Sequence, residues 1–177
     1  MGTVSLKNEC HSILFVCTAN RIRSVMAEAI LCVMITQCDL QGEWRIDSAG
    51  TWADNGRPPM PLAARAMEAE GIDISDHRSR SVDSVPLDDY ALILVMERGH
   101  KESLSWEFPT IKDRIYLISE MTGEEFDVDD PVAGKVQDHI HAAEVLRQIL
   151  TNGFERIRDL SIEDTSGSAH VQEPNGQ

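Results

Sequence analysis

The sequence predicts an α/β fold: a single domain built on a four-stranded parallel sheet with helices on both faces. Two patterns carry that expectation. Strand-like and helix-like segments alternate along the chain, which brings each strand back parallel to the last. Ala91 to Met96 is a continuous apolar run, as expected of a central parallel strand buried on both sides. A length of 177 residues suits one domain with a proper core.

Taken in order, Ser12 to Val16 reads as a short buried strand, and Val25 onward as a helix whose Met26, Ile30 and Val33 share an apolar face. Trp44 to Ser48 follows as a second strand. Pro61 to Glu70 reads as a helix with the stripe Leu62, Ala63, Ala66 and Met67, closed by Gly71 as a C-terminal glycine. After the third strand at Ala91 to Met96 comes a helix near Glu97 to Leu104, then a shorter strand at Arg114 to Ile118. Val136, Ile140, Ala143, Leu146, Leu150, Phe154 and Ile157 keep a 3.6-residue period, which predicts one helix from Lys135 to Leu160. Residues 1–11 read as a loosely held N-terminal extension. Residues 161–177 read as a disordered tail, because they offer few large apolar groups to offset chain entropy. The domain proper is therefore 12–160.

Charge narrows the function. A net charge of −14 and an isoelectric point near 4.7 argue against a nucleic-acid partner, so any positive potential must be local. No apolar run approaches the roughly twenty residues of a membrane span. The charged Lys7 to His11 region is not followed by a signal-peptide core, and Leu6 stands where a myristoylation signal needs Ser or Thr. A cytoplasmic protein without a membrane partner is expected, as a monomer or weak homodimer. Cysteines 10, 17, 32 and 38 have neither Cys-x-x-Cys nor zinc-finger spacing, so no disulfide framework, metal or cofactor is expected. Cys10, Cys32 and Cys38 read as ordinary thiols. His139 and His141 lie two apart on a helix, which fits a solvated face better than a shared metal.

The chemistry concentrates at Ile13-Leu14-Phe15-Val16-Cys17-Thr18-Ala19-Asn20-Arg21-Ile22-Arg23-Ser24. An apolar strand runs into a cysteine, and Arg-Ser follows six residues later at the start of a helix. Backbone N–H groups of Thr18, Ala19, Asn20, Arg21, Ile22, Arg23 and Ser24 can wrap an oxyanion, and the helix adds its positive end. The same field favours thiolate over thiol at Cys17, making it a candidate nucleophile. The competing reading is a buried structural thiol.

This stretch resembles the signature of the low-molecular-weight protein-tyrosine phosphatase family, bacterial type, with some likeness to the protein-arginine-phosphatase branch. Asp47-Ser48-Ala49-Gly50-Thr51, Gly71-Ile72-Asp73, Asp76-His77-Arg78-Ser79-Arg80, Val95-Met96-Glu97 and Asp130-Pro131 match family segments in order, over about residues 12 to 160. The resemblance implies a phosphorylated protein as substrate and a cysteinyl-phosphate intermediate formed on Cys17. Arg23 would grip two phosphoryl oxygens, and Asp130 would act first as acid and then as base. Asn20, Ser24, Ser48 and His77 match positions that hold the loop's shape. On the residues alone, Asp130 also reads as a solvated charge, Ser24 as a helix cap and His77 as a surface histidine.

Departures from the family bear on the substrate. Ala19 replaces a glycine, which would strain the loop if a positive φ were needed there. Val25 replaces a proline. Ile22 replaces a second cysteine, so oxidised Cys17 has no such neighbour to form a disulfide with. Arg21 stands where tyrosine-type relatives carry isoleucine and arginine-type relatives threonine. An added cation there favours a phosphate dianion and disfavours a guanidinium. Val132 and Ala133 follow Asp130-Pro131 where relatives place an aromatic residue, leaving Val132 and Trp52 as candidate substrate walls. Trp52 reads equally as a packing residue. Phosphotyrosine hydrolysis leads these readings. Protein-arginine phosphatase activity, an impaired phosphate-binding relative and an arsenate-reductase-like enzyme are the alternatives, the last weakened by the absence of cysteine between Arg78 and His100.

Overall fold

The computed structural model describes residues 10–40 and 44–162. Four strands, β1 (His11–Cys17), β2 (Trp44–Gly50), β3 (Leu92–Val95) and β4 (Ile115–Leu117), form one parallel sheet in the order β2-β1-β3-β4. β1 is central. The chain goes from it to one neighbour and later returns on its other side, so its C-terminal end lies at a switch point where α/β folds place ligands.

The pleat of β1 sorts the core into two layers. Ile13, Phe15 and Cys17 face a cluster built with α1 (Arg23–Gln37), α2 (Pro61–Ala69), α4 (Val136–Asn152) and α5 (Phe154–Leu160). Leu14 and Val16 face the other layer, where Leu104 of α3 (Arg98–Glu107) packs with Val82, Leu87 and Tyr90. Helices thus cover both faces, as the alternating pattern requires. Gly71, at φ 76°, ends α2 by donating its N–H to the Glu68 carbonyl, the role its place in the sequence predicts.

Two expectations need correction. The predicted helix over 135–160 is two helices, broken at Gly153. A Cβ there would lie 2.6 Å from that of Met121, so the chain approaches the neighbouring turn more closely than any side chain permits and changes direction. His139 is not on a solvated face: it is buried, with Nδ1 3.0 Å from the Lys135 carbonyl, whereas His141 is exposed. At the edges of the expected 12–160 domain, His11 and Ile162 also pair as an isolated antiparallel bridge. His11 begins β1, stacks on Trp44 and has Nδ1 2.9 Å from Ser161 Oγ. The remainder of the expected extension and tail lies outside the described residues. Among the described residues, no helix is long and apolar enough to cross a membrane, and no cluster of His, Cys, Asp and Glu could hold a metal.

Candidate active site

Residues 17–22 form a turn between β1 and α1 whose carbonyls are tied away from its concave side. Thr51 N donates to the Cys17 carbonyl at 2.9 Å, Trp52 N to Thr18 at 2.8 Å, Met60 N to Arg21 at 3.0 Å and Met26 N to Ile22 at 2.9 Å. His77 Nε2 donates to the Asn20 carbonyl at 2.9 Å. Holding these carbonyls outward leaves peptide N–H groups available to the concave side, an arrangement able to cradle an anion. The first turn of α1 has neither a side-chain cap nor an acidic residue, so its positive end adds to that field. Gly50 supports the turn from beneath: a Cβ there would meet the Thr18 carbonyl oxygen at 2.5 Å.

The left-handed residue of the cradle is Asn20, at φ 54°, and Ala19 has no positive φ. The strain expected of Ala19 therefore does not arise, because asparagine supplies the conformation itself. Arg80 N donates to Asn20 Oδ1 at 2.8 Å, which fixes the amide so that Nδ2 donates to Ser24 Oγ at 2.9 Å and Ser48 Oγ at 2.8 Å. Ser24 Oγ is then already an acceptor. Its single proton is free for Cys17 Sγ, 3.1 Å away. Ser48 in turn donates to Glu28 Oε2 at 2.5 Å. The expected supporting residues Asn20, Ser24, Ser48 and His77 are thus one connected network, and Ser24 serves the sulfur rather than capping its helix.

Arg23 is 1% exposed, an unusual place for a cation unless it is paired. Nη1 is ion-paired with Glu97 and donates to the Val128 carbonyl at 2.7 Å, and Nη2 donates to Asp130 Oδ2 at 2.7 Å. Nε is buried without a hydrogen-bond partner among the described residues, which leaves it for an incoming oxyanion. Asp130 is held at both ends, because its Oδ1 accepts the Val132 N–H at 3.2 Å and caps the turn over Pro131–Ala133. Cys17, Arg23 and Asp130, far apart in sequence, line one cleft of about 240 Å³ with Ala19, Arg21, Ile22, Met60 and Val132. The walls are mostly apolar. Arg21 stands at the mouth, with Nε donating to the Pro58 carbonyl at 2.7 Å.

Trp52 does not line this cleft. It is 87% exposed, so neither the wall nor the packing role expected of it is seen. Met60 lines the cleft instead, carried there by its backbone bond to Arg21. Sequence reasoning also gave no role to Glu28, Glu97 or His100. Burial raises Glu28 above the ordinary carboxylate value, against the Ser48 hydrogen bond that lowers it. His100 Nε2 lies 2.9 Å from Thr18 Oγ1, and burial lowers its pKa. Among the other thiols, Cys32 is exposed at its surface, yet partial desolvation and the nearby Glu28 and Asp47 carboxylates push it up to about 11.

Burial also holds His77 below its ordinary value of 6.5, against the Asn20 hydrogen bond that raises it. The fold therefore favours the neutral ring. Its stabilising contribution is complete above about pH 6.5 and is lost as pH falls through the lower folded value, because the unfolded chain takes up the proton more readily. We expect the thermal midpoint to fall on acidification below 6.5 more steeply in the native protein than in His77→Gln, which keeps a donor but does not titrate. Parallel midpoint curves would assign the acid sensitivity elsewhere.

Comparison with known proteins agrees with this geometry. The family model described as low molecular weight phosphotyrosine protein phosphatase matches residues 12–164. The probable low molecular weight protein-tyrosine-phosphatase EpsP of Ralstonia nicotianae is 33% identical over 149 residues, 84% of this chain and 97% of that protein. A protein-arginine-phosphatase of Geobacillus stearothermophilus is 30% identical over 149 residues, with the same shares covered. The solved low molecular weight protein tyrosine phosphatase of T. tengcongensis is similar at a TM-score of 0.78 and 36% identity, over 82% of this chain and 99% of that one.

Proposed function

The chain belongs to the low molecular weight phosphotyrosine protein phosphatase family, whose members are cysteine-dependent phosphatases, and from that premise we propose how its own residues hydrolyse protein phosphotyrosine. Cys17 thiolate attacks phosphorus, forming an S–P bond as the bond to the tyrosyl oxygen breaks. Asp130 gives its proton to that departing oxygen. The resulting carboxylate then takes a proton from water, whose oxygen attacks phosphorus, breaks the S–P bond and restores the thiolate. Arg23 and the cradle N–H groups hold the equatorial oxygens throughout.

The single observation that carries this reading is the convergence of Cys17, Arg23 and Asp130 on one apolar-walled cleft. A dianion entering that cleft competes with Asp130 for Arg23 and favours the protonated carboxyl, the form the first step needs. Glu97 and the Val128 carbonyl keep the guanidinium in place meanwhile. The Ser24 hydroxyl, aimed at Sγ, stabilises the thiolate as attacking and leaving group.

Protein phosphoarginine is the second reading, because a relative named for that activity is as extensively aligned as the tyrosine-type one. Arg21 favours phosphotyrosine: fixed at the mouth, it repels the cationic guanidinium that phosphoarginine carries. We expect kcat/KM for a phosphotyrosine peptide to exceed that for the matched phosphoarginine peptide by about tenfold or more. The reverse order would move the assignment to arginine.

A further inference from the structure

A second cleft of about 400 Å³ lies beside the phosphate site, between residues 126–134 and the first half of α4. Asp130 lines both clefts, so they adjoin at that residue. Its walls are apolar, made by Val128, Pro131, Ala142 and Val145. Its rim is mainly acidic, with Asp127, Asp129 and Asp138 all exposed, and the one basic group lining it among the described residues, His141, lies 3.8 Å from the Glu144 carboxylate. Among the described residues, two of these carboxylates accept backbone hydrogen bonds: Asp127 Oδ1 from Arg98 N at 2.9 Å and Asp138 Oδ2 from Lys135 N at 2.6 Å. The nearby Arg98 guanidinium is directed to the Glu125 carbonyl.

We propose that this cleft is a specificity subsite that takes the side chain of a lysine or arginine flanking the phosphorylated residue of the protein substrate. The proposal rests on the phosphatase reading of the adjoining site. A long basic side chain is apolar along its stem and cationic at its tip, and the cleft is apolar inside and anionic at its rim. An acidic lipid headgroup, nucleotide or acidic peptide segment would meet repulsion at the same rim. Because Asp130 is common to both clefts, a peptide with its phosphoryl group over Cys17 places a neighbouring residue within reach of the second cleft.

The test uses phosphotyrosine peptides that differ at one position within two residues of the phosphotyrosine, carrying lysine, norleucine or glutamate. On one side of the phosphotyrosine, kcat/KM should rise about three- to tenfold from norleucine to lysine and fall for glutamate, with the contrast shrinking at high salt. Equal values for all three residues at every position would overturn the subsite, whereas failure to hydrolyse even p-nitrophenyl phosphate would instead overturn the phosphatase reading. In Asp127→Asn/Asp138→Asn, which keeps an acceptor oxygen for each backbone N–H, the lysine-to-norleucine ratio should approach one. A ratio that survives intact there places the basic residue elsewhere and rejects the proposal.

Discussion

Cys17→Ser should abolish turnover of p-nitrophenyl phosphate, with kcat at least about 10⁴-fold down, while still binding vanadate or phosphate. The change is nearly isosteric. What it removes is the anion, since an alcohol in the same cradle does not ionise near neutral pH and leaves phosphorus poorly in the second step. Binding should persist because its determinants lie elsewhere: Nε of Arg23, the inward N–H groups and the start of α1 are untouched. The Asn20 amide would still donate to Ser24, and Ser24 could donate to the new hydroxyl, so the turn keeps its shape. Steady-state rates together with vanadate titration check this. Activity retained in the serine variant would discard covalent catalysis by Cys17, and loss of vanadate binding would mean that the cradle itself had failed.

The parts of this site that the residues themselves expose are those local in the chain, whereas Asp130, Ser48 and His77 are reached from the sequence only through the family resemblance. Cys17, Arg23 and Ser24 lie within one turn, and an apolar strand before them and a helix after them make the geometry readable. The residues missed reach the site only through the fold. Glu97 follows β3, which pairs with β1, and His100 sits one turn further on; the matching segment Val95-Met96-Glu97 marks the strand end but gives neither residue a role. Met60 arrives through a single backbone bond to Arg21. Glu28 is legible in hindsight, being a carboxylate one turn beyond Ser24 on the helix that opens at the cradle, although its partner Ser48 is on another strand. The expectation about Ala19 assumed that the position usually held by glycine must be the left-handed one, and a neighbouring asparagine could take that role as readily. Periodicity alone could not find the break at Gly153, since both helices bury the same stripe and the interruption comes from contact with Met121.

Asp130→Ala should lose activity according to how badly the leaving group needs a proton. With phenyl phosphate, whose phenolate is a poor leaving group, the first step should slow by about 10² to 10⁴-fold. With p-nitrophenyl phosphate, whose anion departs readily, formation of the cysteinyl phosphate should slow far less. Hydrolysis of the intermediate should then limit turnover, because water has lost its base, and a burst of nitrophenolate should precede a slow steady state. The alternative explanation is that Asp130 only holds Arg23, to which it is bonded at 2.7 Å. That reading predicts equal losses for both substrates and weaker phosphate binding. It is disfavoured because Glu97 and the Val128 carbonyl would still grip Nη1 after the substitution, and removing a carboxylate from beside the cradle should tighten a dianion rather than weaken it. Comparing the two aryl phosphates and the inhibition constant of inorganic phosphate therefore separates proton transfer from positioning: only an acid gives a loss that follows the leaving group while phosphate binds at least as well as before.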